Sequence, residues 1–409
     1  MRRRSHILSR ACLTVAIAIS GIGAQSQDRT IGGGPLSSVG APATWLPAWE
    51  KSIEGEAKTR YCDRETGEEI GWLVSPFLEG FYNGYNATHD TKWIDRFIDW
   101  SDSWIKRGVK EPDGFLGWPK DDGASTGVVA GLFTDNELGD AMALKPAVQL
   151  AAVILRTGSL KAKYGDKATS YIALSEQMFA KWDSRGCWRQ LKEGGVWVVP
   201  MFGIDKANGK WTEGYARRDT DGFTLPDNKQ NLIAEWMLAM YDATGKQVYR
   251  DRAQKWFKVM RSRMHLRDND RYFVWNYWDP AGPWDYKADG STRHWVGVHP
   301  NGGYYEVDVR AIVTAYQHSL VFIQADIDML IKTNRDYMWN RQVAGASFQR
   351  IDGGEPKDPW LKTPGVLWTG LLPYDSTLRS VFEASHNPTS WGGLALTPWY
   401  VALRSVKLR

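Results

Sequence analysis

Arg293, His294 and His299 lie just upstream of two adjacent tyrosines, Tyr304 and Tyr305, in the run RHWVGVHPNGGYYEVDVRAIVTAYQH. The preceding run, RYFVWNYWDPAGPWDY, adds Trp275, Tyr277 and Trp278. Rings that stack on sugar faces, cations and phenols together are what a site for an acidic sugar needs. A helical pattern starts at Tyr304. Tyr305, Val309, Ile312, Tyr316 and Leu320 share one apolar stripe, whereas Tyr304 shares the adjoining stripe with Asp308, Ala311 and Ala315, whose small residues leave room for a cavity. Tyr304 is therefore the preferred catalytic phenol, with Tyr305 closer to the core. His299 heads a Pro-Asn-Gly-Gly turn that holds it near the helix start. The alternating rings from Tyr272 to Trp278 fit a half-buried hairpin strand equally well.

Two further helix starts carry polar groups. Thr134-Asp-Asn-Glu137 reads as a capping box, which accounts for Glu137 and leaves Asn136 and Asp135 to face a cavity. After Thr224-Leu-Pro-Asp227, the residues Asn228, Asn231 and Glu235 form a polar stripe on an otherwise apolar helix, to be satisfied by a neighbouring helix or by a substrate. Trp72 opens an earlier apolar helix and is a candidate platform opposite these groups.

The elements that must position these residues come as pairs. Trp72–Asn86, Glu137–Arg156, Leu225–Thr244 and Tyr304–Phe322 are apolar nearly all round. Each is followed by an amphipathic partner: Thr91–Lys106, Lys167–Trp182, Gln247–Met264 and Ala325–Trp339. Trp368–Ala384 and Leu394–Val406 complete the set. Inner helices buried on all sides and outer helices with one wet face predict an all-α fold, an (α/α)6-7 toroid of helical hairpins. Short β-hairpin insertions are expected at Gly195–Ile204 and Tyr272–Trp278. One catalytic domain is read over residues 44–409. In such a ring, the loops into the inner helices surround one end of the cavity.

Residues 1–25, with a basic start and an apolar run from Cys12 to Ile22, read as a secretory signal peptide, and the Gly/Ser/Pro-rich residues 26–43 as a flexible linker. This predicts a secreted or periplasmic protein without a membrane anchor, since no other stretch reads as long and apolar enough to span a bilayer. The full chain has Lys+Arg 51 against Asp+Glu 47, but four arginines belong to the leader, so the remainder balances at 47 of each sign. A nucleic-acid partner is thereby disfavoured. Attraction for an acidic polysaccharide must come from local clusters such as Arg217-Arg218 or Arg293-His294. Cys62 and Cys187, the two cysteines beyond the leader, are too few for a disulfide framework or a metal site, so no metal and no cofactor are expected. With Trp 22 and Tyr 17 in the chain, aromatic usage points to carbohydrate binding.

The run WNYWDPAGPWDY followed by RHWVGVHPNGGYY, together with TDNELGDAMALKP, resembles polysaccharide lyase family 38, which includes alginate and glucuronan lyases. The resemblance implies a toroid, no obligatory metal, and β-elimination of a 4-linked uronan with a tyrosine leading; Tyr277, Tyr304 and Tyr305 all remain open for that role. On this reading Asn228, Asn231 and Arg293 neutralise the uronate carboxylate, Tyr304 and His299 move protons, and Tyr305, His294, Trp275, Tyr277, Trp278, Asn136, Glu137 and Trp72 bind sugar. A phenol titrating near roughly pH 10 needs neighbouring positive charge to act as a base. The alternatives are a toroidal glycoside hydrolase using a carboxylate pair drawn from Asp135, Glu137, Glu306 and Asp308, a sugar epimerase, and a non-catalytic glycan-binding protein.

Overall fold

The computed structural model describes residues 44–121, 132–199, 202–213, 222–269, 271–354 and 364–406. The signal peptide, the linker and the Arg217-Arg218 pair lie outside them. Eleven α-helices occur among the described residues: α1 (Trp45–Glu56), α2 (Ser75–Thr88), α3 (Lys92–Ile105), α4 (Glu137–Arg156), α5 (Gly158–Ser184), α6 (Asp227–Thr244), α7 (Gln247–Arg263), α8 (Gly303–Gln317), α9 (Gln324–Lys332), α10 (Ser376–Ser385) and α11 (Gly393–Val406). Helix α2 packs on α4, α4 on α6, α6 on α8, α8 on a 3-10 turn at Thr369–Leu371, and α11 returns to α2. With that turn counted, the ring has six inner positions. Outer helices α3, α5, α7 and α9 each back the preceding inner helix, and α1 backs α11. The fold is an all-α toroid.

The ring follows from side-chain type. Trp93, Phe97, Trp100 and Trp104 recur at helical spacing on α3 and are all buried. Helix α4 is buried over nearly its whole length, because it is flanked by α2, α5 and α6. By composition α4 is long and apolar enough to cross a bilayer, which corrects the sequence reading, yet 83% of that stretch is buried inside the protein. The ring axis is occupied by charge. Lys145 of α4 pairs with Glu79 of α2 at 2.7 Å and with Glu235 of α6 at 3.1 Å. Arg310 of α8 approaches Glu235 at 3.9 Å.

Two inner helices contain an interior proline, which cannot donate to the carbonyl four residues back. In α4, Pro146 frees the Met142 carbonyl, and the Ser75 hydroxyl at the start of α2 donates to it at 2.7 Å. In α11, Pro398 frees the Leu394 carbonyl, and the Trp49 indole of α1 donates to it at 2.8 Å. Both carbonyls are therefore satisfied by a neighbouring helix.

The strands are short: β1 (Val109–Lys110), β2 (Leu116–Gly117), β3 (Lys120–Asp121), β4 (Leu132–Thr134), β5 (Trp188–Gln190), β6 (Gly195–Trp197), β7 (Phe202–Asp205), β8 (Trp211–Glu213), β9 (His265–Arg267) and β10 (Tyr272–Val274). They form an antiparallel sheet in the order β3-β4-β7-β8 and three two-stranded ribbons. The expected insertion at Gly195–Ile204 is split between two of these sheets, with β6 on β5 and β7 on β4. The strand expected over Tyr272–Trp278 ends at Val274. The helix expected over Trp368–Ala384 is broken, because Pro373 follows the Thr369–Leu371 turn and Asp375 caps a new helix by accepting from the Leu378 amide. The capping box at Thr134 is also corrected: Thr134 lies in β4, and the α4 cap is Asn136, whose side chain accepts from the Leu138 amide at 2.8 Å.

Ser75→Ala leaves the Met142 carbonyl buried without a donor, and is expected to cost about 1–3 kcal/mol in denaturant unfolding. In a Pro146→Ala background residue 146 regains its N–H, so the same substitution should cost measurably less. Equal costs in the two backgrounds would remove the hydroxyl from this role.

Candidate functional site

The inner-helix starts meet at one end of the ring. Glu68 and Trp72 precede α2, Asn136 caps α4, Lys229 lies in the first turn of α6, and His299 to Tyr304 lead into α8. Their meeting point is the Glu68 carboxylate. It accepts from the Trp72 indole at 3.0 Å, from the Asn136 amide at 3.1 Å and from the Lys229 ammonium at 2.8 and 3.0 Å. Gly139 permits this approach: a Cβ there would lie 2.2 Å from the Gly67 carbonyl oxygen, so any larger residue would push the Glu68 segment off α4.

Beside Glu68 stands an aromatic cluster. Tyr277 stacks on Tyr304 with ring centroids 5.1 Å apart and on Trp295 at 5.7 Å. His299 lies 4.6 Å from Tyr277 and 4.5 Å from Tyr304, measured between centroids. Trp295 is 45% exposed, which leaves its face open to a ligand. Tyr277 is held through its backbone, its N–H donating to the Gly297 carbonyl at 2.8 Å and its carbonyl accepting from the Asp227 amide at 3.1 Å.

The electrostatics differ from the sequence expectation. Burial first, and the Glu68 carboxylate second, push the Tyr304 phenol above its ordinary value. Burial and Tyr304 do the same to Tyr277. Both phenols are shifted upward, so both stay protonated near neutrality and act as hydrogen-bond donors. The His299 ring Nδ1 accepts from the Asn301 amide at 2.9 Å, which assigns the neutral ring's proton to Nε2. Burial, followed by His294, pushes His299 down to about 4.

The structure thus brings Tyr304, His299, Tyr277 and His294 together, with His294 6.2 Å from Tyr277, and gathers Trp72 and Asn136 around Glu68. Asn228 adjoins Lys229 and is buried, with its Oδ1 lacking a partner among the described residues. Other candidates belong to the supporting structure. Asn231 donates to Asp308 at 2.7 Å and accepts from the Trp256 indole at 2.7 Å, so it faces protein rather than a sugar. The Trp275 indole donates to Asp308 at 2.9 Å, and the Trp278 indole to the Thr224 carbonyl at 2.7 Å. Tyr305 is buried and its phenol accepts from the His299 amide at 2.7 Å, which positions the histidine. Glu137 is buried among Phe179, Trp182, Trp188, Trp197 and Arg252, away from the Glu68 group. Arg293 donates to the Trp284 carbonyl at 3.1 Å and lies 6.0 Å over the Phe223 ring.

Sequence reasoning missed Glu68 and Lys229. A signal was present for each: Glu68 precedes Trp72 by one helical turn, and Lys229 is the one cation among the polar residues opening α6. Among the described residues no group of three or more His, Cys, Asp or Glu converges as a metal site, and Cys62 and Cys187 are buried free thiols.

No family model and no curated protein matches this chain. Among solved structures it is similar to a D-mannose isomerase, with TM-score 0.48 and 12% identity over 91% of this chain and 87% of that one. It is also similar to the GH76A alpha-1,6-mannanase from Salegentibacter sp. HEL1_6, with TM-score 0.44 and 11% identity over 88% of this chain and 99% of that one. An inactive variant of that mannanase in complex with alpha-1,6-mannotetrose gives TM-score 0.42 and 13% identity over 83% and 88%. The resemblance to polysaccharide lyase family 38 is therefore corrected: no family model supports it, and the similar structures are a sugar isomerase and mannanases.

His299 titrates at about 4 when folded, against 6.5 for an unperturbed histidine. Between those values the unfolded chain binds more protons, so the neutral histidine's contribution is full above pH 6.5 and is lost as pH falls towards 4. His386, also pushed to about 4 by burial, adds its own slope. In His299→Gln this one slope is lost while those of the other shifted groups are common to both proteins, so the melting-temperature gap between wild type and variant should narrow as pH falls through this window. A constant gap would contradict a neutral, buried His299.

Proposed function

We propose that the chain is a secreted or periplasmic enzyme that acts on a polysaccharide at the inner-helix mouth of its toroid, cleaving glycosidic bonds by hydrolysis. The observation that carries this reading is the Glu68 carboxylate, fixed by Trp72, Asn136 and Lys229 beside Tyr304 and Tyr277. Elimination from a uronan needs the substrate carboxylate neutralised and a phenol that loses its proton near neutrality. Here the fixed charge beside the phenols is negative, and the nearby ammonium is already paired with it, so a uronate carboxylate in that subsite would meet repulsion. A neutral sugar ring, by contrast, gains stacking on Trp295 and Tyr277 and hydrogen bonds from protonated Tyr304 and neutral His299.

Hydrolysis needs two carboxyl groups flanking the scissile bond, one ionised and one protonated. Glu68, paired with the Lys229 ammonium, serves as the base that activates water. Of the carboxylates expected for the second role, Asp135 is bound to buried Lys181, Glu137 is enclosed, and Asp308 is bound to Trp275 and Asn231. Glu306, half-buried two residues beyond Tyr304 and bonded to the Thr369 hydroxyl, remains. Acidic residues of the polymer would then lie outside the Glu68 subsite.

The test is incubation with glucuronan, polymannuronate, polyguluronate, an alpha-1,6-mannan and a neutral glucan, following reducing ends and far-ultraviolet absorbance together. Reducing ends without a conjugated double bond are expected, with Glu68→Gln slower by at least about 100-fold in kcat. A rise in absorbance that survives Glu68→Gln and disappears in Tyr304→Phe would replace hydrolysis by elimination.

A further inference from the structure

Away from the Glu68 group, Arg271, Tyr272, Lys332, Asp336 and Arg341 line a surface cavity of about 440 Å³. We propose that this cavity is a second carbohydrate site, which takes an anionic pyranose of the polymer, carrying either a carboxylate or a sulfate ester, and so holds the chain beside the mouth. The proposal rests on the polysaccharide reading above and adds where the polymer's charge is bound.

The cavity is built from a strand edge and the segment after α9. In the β9–β10 ribbon Tyr272 lies opposite Arg267. The Tyr272 ring packs on Tyr337 with centroids 4.9 Å apart, and the Arg267 guanidinium covers Tyr337 at 5.1 Å. This fixes Tyr272 as a ring in the wall, while Arg271 lies 5.5 Å over it. Arg341 has a left-handed backbone, φ 60°, and its guanidinium donates to the Asp336 carbonyl at 3.0 Å, which turns it back towards the cavity.

Charge counting selects the ligand. Asp336 accepts from Arg335 at 2.9 and 3.1 Å, a guanidinium that also holds Asp375 at 2.7 Å, and Arg335 first, with Arg341 and Lys332 adding to it, keeps the Asp336 carboxyl below the usual range. The wall therefore carries three cations, Arg271, Lys332 and Arg341, against the one carboxylate of Asp336, an excess of positive charge around one concavity. The Arg271 and Lys332 side chains make no hydrogen bond or ion pair among the described residues. Gathering like charges is unfavourable until an anion enters, and guanidinium groups match the paired oxygens of carboxylate and sulfate. The volume lies within the roughly 300–1,000 Å³ of small-ligand sites, and the Tyr272 ring offers an apolar wall that a bare inorganic anion would not use. A nucleic acid fits less well, because the cations form one hollow rather than a track along a backbone.

The position links this cavity to the mouth. Tyr272 precedes Tyr277 by five residues of largely extended chain, at most about 17 Å at roughly 3.3 Å per residue. A polymer can therefore occupy both places at once, and the second contact then acts at high effective concentration.

The test separates binding from turnover. Glu68→Gln enzyme, alone and combined with Arg271→Ala/Lys332→Ala/Arg341→Ala, is run in native gels cast with a uronan, a sulfated polysaccharide or a neutral glucan, at two salt concentrations. The expected result is retardation in one or both acidic gels, lowered by salt and weakened at least about tenfold by the triple substitution, with no change in the neutral gel. The acidic gel that retards names the anion. On the otherwise wild-type background, the triple variant should cleave the shortest oligosaccharide substrate at the wild-type rate, so loss of hydrolysis and loss of this site are scored independently. The proposal is overturned if the triple substitution leaves retardation unchanged. It is equally overturned if a control substitution of exposed Lys110, Lys161 and Lys192 weakens retardation as much, or if duplex DNA is bound as tightly as the acidic polysaccharide.

Discussion

The ammonium of Lys145 ties the inner ring together. Its two glutamate partners come from the helices on either side of α4, so one side chain fixes the rotation of three inner helices about their own axes. Burial alone would strip its proton, but Glu235 and Glu79 outweigh it and keep the charge. The same attraction holds Glu79 ionised against burial. A ring of helices with apolar inner faces would leave its axis to be filled by side chains of matching shape. Filling it with paired charges instead demands a particular register, because a charge left unpaired there is strongly destabilising. That register decides which residues of each helix reach the mouth.

The helical pairing was legible because it rests on local pattern. Inner helices are apolar all round and outer helices wet on one side, whatever their neighbours. Helix α1 was overlooked although Trp45, Trp49 and Ile53 recur every four residues and are all buried, because the segment follows a linker-like composition. The four-stranded sheet was illegible for a different reason. Its pair Phe133↔Ile204 joins segments from either side of α4 and α5, and no local periodicity announces such a partnership. For the site, the helix starts were readable as places. Their chemistry was not, since the meaning of Tyr304 changes once Glu68, more than two hundred residues earlier, stands beside it.

Behind the mouth, carboxyl groups are held in a different condition. Asp308 is pushed up to about 8 and Asp227 to about 7, each chiefly by burial. Asp308 nevertheless organises the floor by accepting from Trp275 and Asn231, and Asp227 by receiving Arg263. Burial thus mutes the charge of the groups beneath the aromatic cluster, whereas Glu68 is met by an ammonium and two neutral donors. The mouth therefore presents a carboxylate paired with an ammonium and set among rings and neutral hydrogen-bond donors.

The bond from the Trp49 indole to the Leu394 carbonyl joins residues separated by 345 positions. It lies where the ring closes, between the first helix of the described chain and the last. Until the final helix is released from the ribosome, or from an export channel, Trp45 of α1 lacks the Phe382, His386 and Tyr400 rings it packs on, and the Trp49 indole N–H lacks its acceptor. The toroid is consequently a structure whose earliest-made part waits longest for its partner, and contacts of such long sequence separation form late. During that interval the uncovered Trp45 ring is a site for unwanted association between growing chains. The yield of folded protein is then governed by how quickly the two ends of the chain find each other, a kinetic demand set by the topology of a closed ring.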